Sequence, residues 1–292
     1  MSASKKKRNH WVPQAYLRSF AADPGRNKIW TMGIDAGEPR LRPIEKVAVK
    51  FYLYAPAGPQ GRDYSFEDTL ASLEQWFGEP YWNAAATGIV DLMHEPTRKM
   101  LALLAATMYL RHPLHLEMMK NIHRQMVDFL SQPLGLPDEV EINGRVIEVD
   151  KSSWPAYRDG GEDDIKRMWL KEVGRAGWLA KIFLEMRWAV ILAEEPTFIT
   201  TDNPVTPIHS DMQFHGFRNP GTSVMFPLSP TRLLWLDHRR SEPDGQYYPL
   251  KDNGGGMNTL LWRNALRDMF SDRDPHYTCA DIVDAAESMG FS

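Results

Sequence analysis

The chain has 292 residues, 43% hydrophobic and 25% charged, with a formal net charge of −4. That is a globular composition, long enough for one large domain or two modest ones, and it argues against disorder and against polyanion binding by bulk charge. No run of about 18 apolar residues exists, so no transmembrane helix and no membrane partner are expected. A basic start without a following apolar stretch speaks against a signal peptide, and the single cysteine, Cys279, fits a reducing cytoplasm.

Residues 1–9, with the basic run Lys5-Lys6-Lys7-Arg8, are expected to be disordered, and residues 10–292 to form a single domain. After the turn Asp23-Pro24-Gly25, Lys28 to Met32 has strand character. Val47 to Tyr54 is apolar and aromatic, and Pro56, Gly58, Pro59 and Gly61 then break the chain. The span 66–187 reads as mainly helical. Phe66, Leu70, Leu73 and Phe77 recur at helical spacing, and Tyr81 to Met93 gives a weaker helix. Arg98 to Arg111, capped by Thr97, is apolar on most faces and therefore expected to be buried. Pro113 ends or kinks it, and Leu114 to Leu130 resumes helix. Val140, Ile142, Val146 and Val149 alternate around Asn143-Gly144, which predicts a hairpin over 139–149, an appendage between helices. Asp163 to Trp188 reads as one long amphipathic helix. Strands are expected at Trp188–Leu192, Thr197–Thr200, Ser223–Phe226 and Arg232–Leu236, then helices at Met257–Phe270 and Cys279–Met289. The fold class is α+β: a mostly antiparallel sheet with a large helical insertion and a short β-hairpin appendage.

Five places could carry chemistry. His10 opens an aromatic and aliphatic segment, where Pro13 fixes the backbone and Tyr16, Leu17 and Phe20 anchor it. Its imidazole can serve as acid, base or metal ligand, or simply cap a helix or fill a polar niche. Thr200-Thr201-Asp202-Asn203-Pro204 puts two hydroxyls, a carboxylate and a carboxamide at a strand end. There Asp202 could take a proton, orient His10 or bind a divalent cation, and Asn203 could hold an oxyanion or phosphate. The same string also suits an Asx-type turn. Ser229, between Pro227 and Pro230, has no Gly-x-Ser-x-Gly around it and reads more readily as a turn than as a nucleophile. Arg111, ending the apolar helix, either complements the helix dipole or clamps a phosphate or carboxylate, with Glu74 as a candidate partner. Cys279 lacks a basic environment apart from His276 and reads as a packed thiol. Walker, Gly-x-Gly-x-x-Gly, Cys-x-x-Cys and His-Glu-x-x-His motifs are absent. Gly254-Gly255-Gly256 is not followed by Lys-Ser/Thr, and His112 with His115 shows no third metal ligand.

Taken in order, His10-x-x-Pro13-x-x-Tyr16-Leu17-Arg18-x-Phe20, Leu73-Glu74, Arg111, Ile199-Thr-Thr-Asp202-Asn203-Pro204-Val205, Phe226-Pro-Leu-Ser-Pro230 and Asn258 resemble the domain-of-unknown-function 4238 family, mostly bacterial proteins. The resemblance runs from about residue 9 to residue 275, with Thr201 where the usual form has Ser. It implies a single domain with His10, Glu74, Arg111, Asp202 and Asn203 as recurrent polar positions, and supplies no activity. Polar groups embedded in apolar segments are costly when unpaired, so they are expected to converge on one pocket.

Two functions are compatible with this. One is a hydrolase acting on a phosphodiester, RNA or a nucleotide. In it His10 is general acid or base, Asp202 its orienter or a divalent-metal ligand, and Arg111, Asn203, Glu74 and Ser229 lie on the substrate side. The basic tetrad would then steer a polyanion to His10. The other is a non-catalytic binding or scaffold protein, in which the same residues form a buried polar network and the 139–149 hairpin docks a protein partner.

Overall fold

Strand pairing ties the two ends of the chain together. The computed structural model describes residues 7–288 apart from 24, 36, 79, 132–135 and 143. The N-terminal part runs β1 (Arg8–His10), α1 (Gln14–Leu17), β2 (Lys28–Gly33), β3 (Arg40–Pro43), β4 (Val49–Phe51) and the short pair β5 (Ala57–Gly58) and β6 (Gly61–Arg62). Helices α2 (Ser65–Glu74), α3 (Pro80–Thr87), α4 (Glu95–Leu110) and α5 (Pro113–Leu130) follow. Next come the hairpin β7 (Glu139–Ile142) and β8 (Arg145–Glu148), then α6 (Trp154–Arg158), α7 (Glu162–Gly174) and α8 (Gly177–Glu185). The remainder is β9 (Arg187–Leu192), β10 (Thr200–Thr201), β11 (Thr206–Ile208), β12 (Ser223–Ser229), β13 (Arg232–Asp237), β14 (Gln246–Pro249), α9 (Gly255–Arg263), β15 (Asp268–Ser271) and α10 (Pro275–Ser288).

The fold is α+β. A five-stranded sheet has the order β11-β12-β13-β9-β14, antiparallel except where β14 joins β9. A four-stranded antiparallel sheet, β10-β15-β2-β3, interleaves strands from both ends of the chain. Side chains alternate across the larger sheet as strand geometry requires. Val224, Phe226, Leu228, Leu234 and Leu236 join the main core, in which α4 packs on α8. Met225 and Leu233 face the other way and join a smaller core with Met32, Phe198, Ile199, Leu261 and Met269. Close approach seals that side: a Cβ on Gly255, in the first turn of α9, would lie 2.1 Å from the Asp281 carbonyl of α10.

The structure corrects several expectations. Arg8 and Asn9 do not belong to a disordered tail: they pair with β4, and Asn9 is buried; residues 1–6 lie outside the described residues. Helix α4 is capped by His94 rather than Thr97, with Pro96 in its first turn, where a missing N–H costs nothing. The helix expected over 163–188 breaks between Gly174 and Gly177, and Trp188 belongs to β9. The helix expected over 257–270 stops at Arg263, and Asp268–Ser271 forms a strand. Asp202 takes the amides of Leu266 and Arg267, which a continuing helix would have used. Strand β12 runs on to Ser229, absorbing Pro227 at a register shift, whereas only Thr200–Thr201 of the 197–200 strand pairs. The hairpin forms around Gly144 (φ 74°), while Asn143 lies outside the described residues.

Tyr16 pins these layers. Its ring is fully buried and stacks on Phe226 at 5.6 Å. Its hydroxyl donates to the Pro227 carbonyl (2.8 Å) and meets the Thr200 hydroxyl (2.7 Å). Removing one oxygen by Tyr16→Phe leaves a buried carbonyl unpaired. We expect a loss of about 1–3 kcal/mol in urea denaturation, and Tyr16→Phe with Thr200→Val should cost less than the two singles summed.

Candidate functional site

The buried polar residues are assembled around residues 9–16. Strand β1 sets the entry, with His10 opposite Val49, and Pro13 (ψ 136°) turns the chain into α1. Arg111, at the C-terminal end of α4 and 2% exposed, reaches back to this segment. Its Nη2 lies 2.8 Å from Glu74 Oε1 and donates to the His10 carbonyl. Its Nε donates to the Tyr54 hydroxyl (3.1 Å), which donates in turn to the Arg111 carbonyl (3.2 Å). Burial opposes the charge, but Tyr54 and Glu74 outweigh it and hold the guanidinium above its ordinary value.

The His10 ring is half-buried. Its Nδ1 sits 3.1 Å from the Val47 carbonyl, so Nδ1 carries the proton, and Nε2 then accepts from the Gln14 amide at 2.9 Å. Asp202 is 1% exposed. Its Oδ1 accepts from the Leu266 amide (2.8 Å) and its Oδ2 from the Arg267 amide (3.0 Å). Its backbone carbonyl accepts from Trp11 Nε1 at 2.8 Å. Asn203 and Asn264 exchange side-chain to backbone bonds, at 2.9 and 3.0 Å. Asn258 is fully buried; it accepts from the Ile199 amide and donates to the Thr197 carbonyl.

So His10, Glu74 and Arg111 converge, but through the His10 backbone carbonyl rather than its ring. Asp202 joins through its backbone and Trp11, and its carboxylate serves the Leu266–Arg267 turn. Both carboxylate oxygens are therefore engaged where a cation ligand was expected. His112, read as half of a weak metal pair, is 1% exposed and caps α5, its Nδ1 accepting from the Leu114 amide (3.2 Å). Its Nε2 faces the Asp202 carbonyl without a hydrogen bond of full geometry. Among the described residues, the group that could share a metal ion is His209, Asp211 and His215.

Ser229 stands apart from this network. It lines a cleft of about 320 Å³ together with Arg18, Asp23, Arg26, Asn83 and Thr87. Asp23 accepts the Lys28 and Asn27 amides (2.7 and 2.9 Å), and these hold its carboxyl below the usual range. Among the described residues, no hydrogen bond or ion pair engages the Arg18 or Arg26 side chain. Sequence reasoning missed both as ligands. Arg18 lies inside the opening motif, and being exposed and charged beside apolar anchors was its only signal. Tyr54, Trp11, His112 and Asn264 were missed as network members because their partners lie far off in sequence.

Comparison with known proteins places the chain against the family described as "Protein of unknown function (DUF4238)", matched over residues 8–274. No curated protein and no solved structure matches.

Two buried groups titrate in opposition. Burial pushes the Asp202 carboxyl from 3.8 up to about 7, against the pull of the Leu266 amide and with the Asp268 charge adding to the rise. Burial pulls the His112 imidazole from 6.5 down to about 3, with His115 adding to the fall. For Asp202 the folded state binds the extra proton, so its contribution is full below about pH 4 and lost as pH rises through 7. For His112 the unfolded state binds it, so its contribution is present above about pH 6.5 and lost as pH falls toward 3. The slopes oppose between these limits. His112→Asn, which keeps a helix cap, will leave stability falling as pH rises. Asp202→Asn will leave it rising, each by at most ~1.4 kcal/mol per pH unit in urea melts. Arg111→Ala will cost about 3–5 kcal/mol in the same assay, because the ion-pair partner stays behind.

Proposed function

Because the chain belongs to the DUF4238 family, we propose its role from the cleft: it binds a small phosphate-bearing ligand through Arg18, Arg26 and Ser229, over a framework made by Arg111, Glu74, Asp202 and Asn203. The observation that carries this reading is a pair of arginines on one concave surface whose side chains no hydrogen bond or ion pair engages among the described residues. Guanidinium forks match phosphate oxygens two at a time, and the volume suits a small ligand. Ser229 supports it. Arg232 Nη1 donates to the Thr231 hydroxyl (2.9 Å), which faces Ser229 Oγ at 3.4 Å. Thr231 is then the natural donor to Ser229, leaving the Ser229 proton for a ligand. A nucleotide remains the class of ligand the reading favours, in a reducing compartment such as the bacterial cytoplasm, with Cys279 a thiol.

Binding is preferred over phosphodiester hydrolysis for a geometric reason. The His10 ring engages Val47 and Gln14, and the Asp202 oxygens take backbone amides, so their side chains do not meet over a common substrate position. A second reading, docking of a protein, draws support from α5, where Leu114, Met118, Ile122, Met126 and Phe129 are exposed at near four-residue spacing.

Calorimetric titration with inorganic phosphate and with nucleoside monophosphates tests the proposal. Arg18→Ala and Arg26→Ala should each weaken binding by about 10- to 100-fold, the worth of one charged hydrogen-bonded contact. Chromatography of the recovered nucleotide should find it unchanged. Turnover that His10→Ala and Asp202→Ala abolish at unaltered melting temperature would establish the hydrolase instead.

A further inference from the structure

The connection between β11 and β12 carries His209-x-Asp211-x-x-x-His215. One carboxylate receives both imidazoles: Asp211 Oδ1 lies 2.6 Å from His209 Nδ1, and Oδ2 lies 2.6 Å from His215 Nε2. The ligand atoms of the three residues all fall within 4.8 Å of one another, and the two rings meet edge to face at 4.5 Å. We propose that His209, Asp211 and His215 bind a first-row divalent metal ion such as Zn²⁺.

The chemistry of the donors fits. Two imidazole nitrogens and one carboxylate oxygen form a three-ligand set for zinc or a neighbouring first-row ion, with further positions left to water. Bonds of about 2.0–2.2 Å place neighbouring ligand atoms roughly 3.3 Å apart on a tetrahedron, between the 2.6 Å carboxylate contacts and the 4.8 Å that bounds the set. In the metal-free site the protons sit on His209 Nδ1 and His215 Nε2, donating to Asp211; on taking up an ion each neutral imidazole changes tautomer, its proton passing to the nitrogen away from the ion, Nε2 for His209 and Nδ1 for His215. No proton need leave the site. Side chains of Asp211 and His215 are 48% and 39% exposed, so an ion has a path in.

The loop is built to hold this geometry rather than to drift through it. His209 follows Ile208, which pairs with Ser223 across the sheet. The Met212 amide donates to the His209 carbonyl, and the Gln213 amide to Asp211 Oδ1, both at 2.9 Å. Met212 is held at φ 61°, a conformation a bulky side chain rarely adopts, and this turn brings Asp211 back toward His215. Two residues beyond His215, Phe217 is buried against Tyr109 and Phe183 (4.9 and 5.2 Å), and its carbonyl accepts from His238 at 2.8 Å. A Cβ on Gly221 would lie 2.4 Å from His209 Nε2, so the ring lies directly against that backbone.

The test is titration of chelator-treated full-length protein with Zn²⁺ alone, read by calorimetry, and with Co²⁺, read by its visible ligand-field bands. One ion per chain is expected. His209→Gln, His215→Gln and Asp211→Asn should each weaken uptake at least about tenfold, while far-UV circular dichroism of the metal-free protein stays unchanged. The Co²⁺ bands should collapse in the His209→Gln/His215→Gln double variant. Absence of saturable one-to-one uptake, or uptake that survives in the double variant, overturns the site and leaves a hydrogen-bonded turn only.

Discussion

Arg111 is the constraint that orders the rest of the molecule. A guanidinium 2% exposed at the end of a buried helix cannot stay charged without partners close at hand. Those partners come from three separate stretches: Glu74 at the end of α2, Tyr54 after β4, and the His10 carbonyl in β1. One cation therefore fixes where the N-terminal segment enters the core. From there Trp11 reaches Asp202, 191 residues away, and Tyr16 reaches Thr200 and Pro227. The opening motif is a bracket between the helical insertion and the C-terminal sheets. Its aromatic residues supply burial, and its polar atoms supply registration.

Asp202 has a comparable topological role at the other end. By accepting the amides of Leu266 and Arg267 it turns the chain out of α9 and into β15, and β15 then pairs with β2. Asn203 and Asn264 fasten the same corner with paired bonds. A buried carboxylate bound by two amides is a costly device, and burial has moved its proton affinity toward neutrality. His112, whose Nε2 faces the Asp202 backbone carbonyl, is shifted the opposite way. An acid and a base perturbed in opposite directions leave the pair near charge balance over the range in which each alone would tilt stability.

Much of this was legible in the sequence, and the unread part has identifiable causes. Helical spacing of apolar residues located α2, an apolar run on most faces marked α4 as a buried helix with α5 resuming after Pro113, and short apolar runs between turn residues located β2, β9, β12 and β13, the last three being buried on both faces. The breaks at Gly174–Gly177 and after Arg263 were missed. In the first, apolar residues continue on both sides of the break. In the second, the deciding partner, Asp202, lies more than sixty residues upstream. Strands β3 and β14 went unseen since Arg40–Pro43 and Gln246–Pro249 are edge strands with little apolar alternation. Of the polar residues singled out, His10, Glu74 and Arg111 come together, Asp202 is tied to them only through its backbone carbonyl and Trp11, and Ser229 lies apart. Their side-chain directions were beyond reach: nothing in the string His10-Trp11 says that Arg111 uses the carbonyl of the first and Asp202 the indole of the second.

The distinction between satisfied and unsatisfied polar groups then decides where function is sought. Conspicuous residues such as Arg111 and Asp202 stand out in the sequence because they interrupt apolar segments, and that same placement obliges the fold to pair them. A group whose donors and acceptors are already committed inside the protein can bind a substrate only by giving something up. Among the described residues, nothing engages the side chains of Arg18 and Arg26. His209 and His215 spend their donors on a single exposed carboxylate that a cation could take over. Arg26, His209 and His215 look ordinary in a sequence, since arginines and histidines in polar loops are common and interrupt nothing, and Arg18 stands out only as an exposed charge beside apolar anchors. The polar groups that the core engages, Arg111 and Asp202 among them, therefore hold the framework, and the exposed Arg18 and Arg26 stand at the surface with no partner among the described residues.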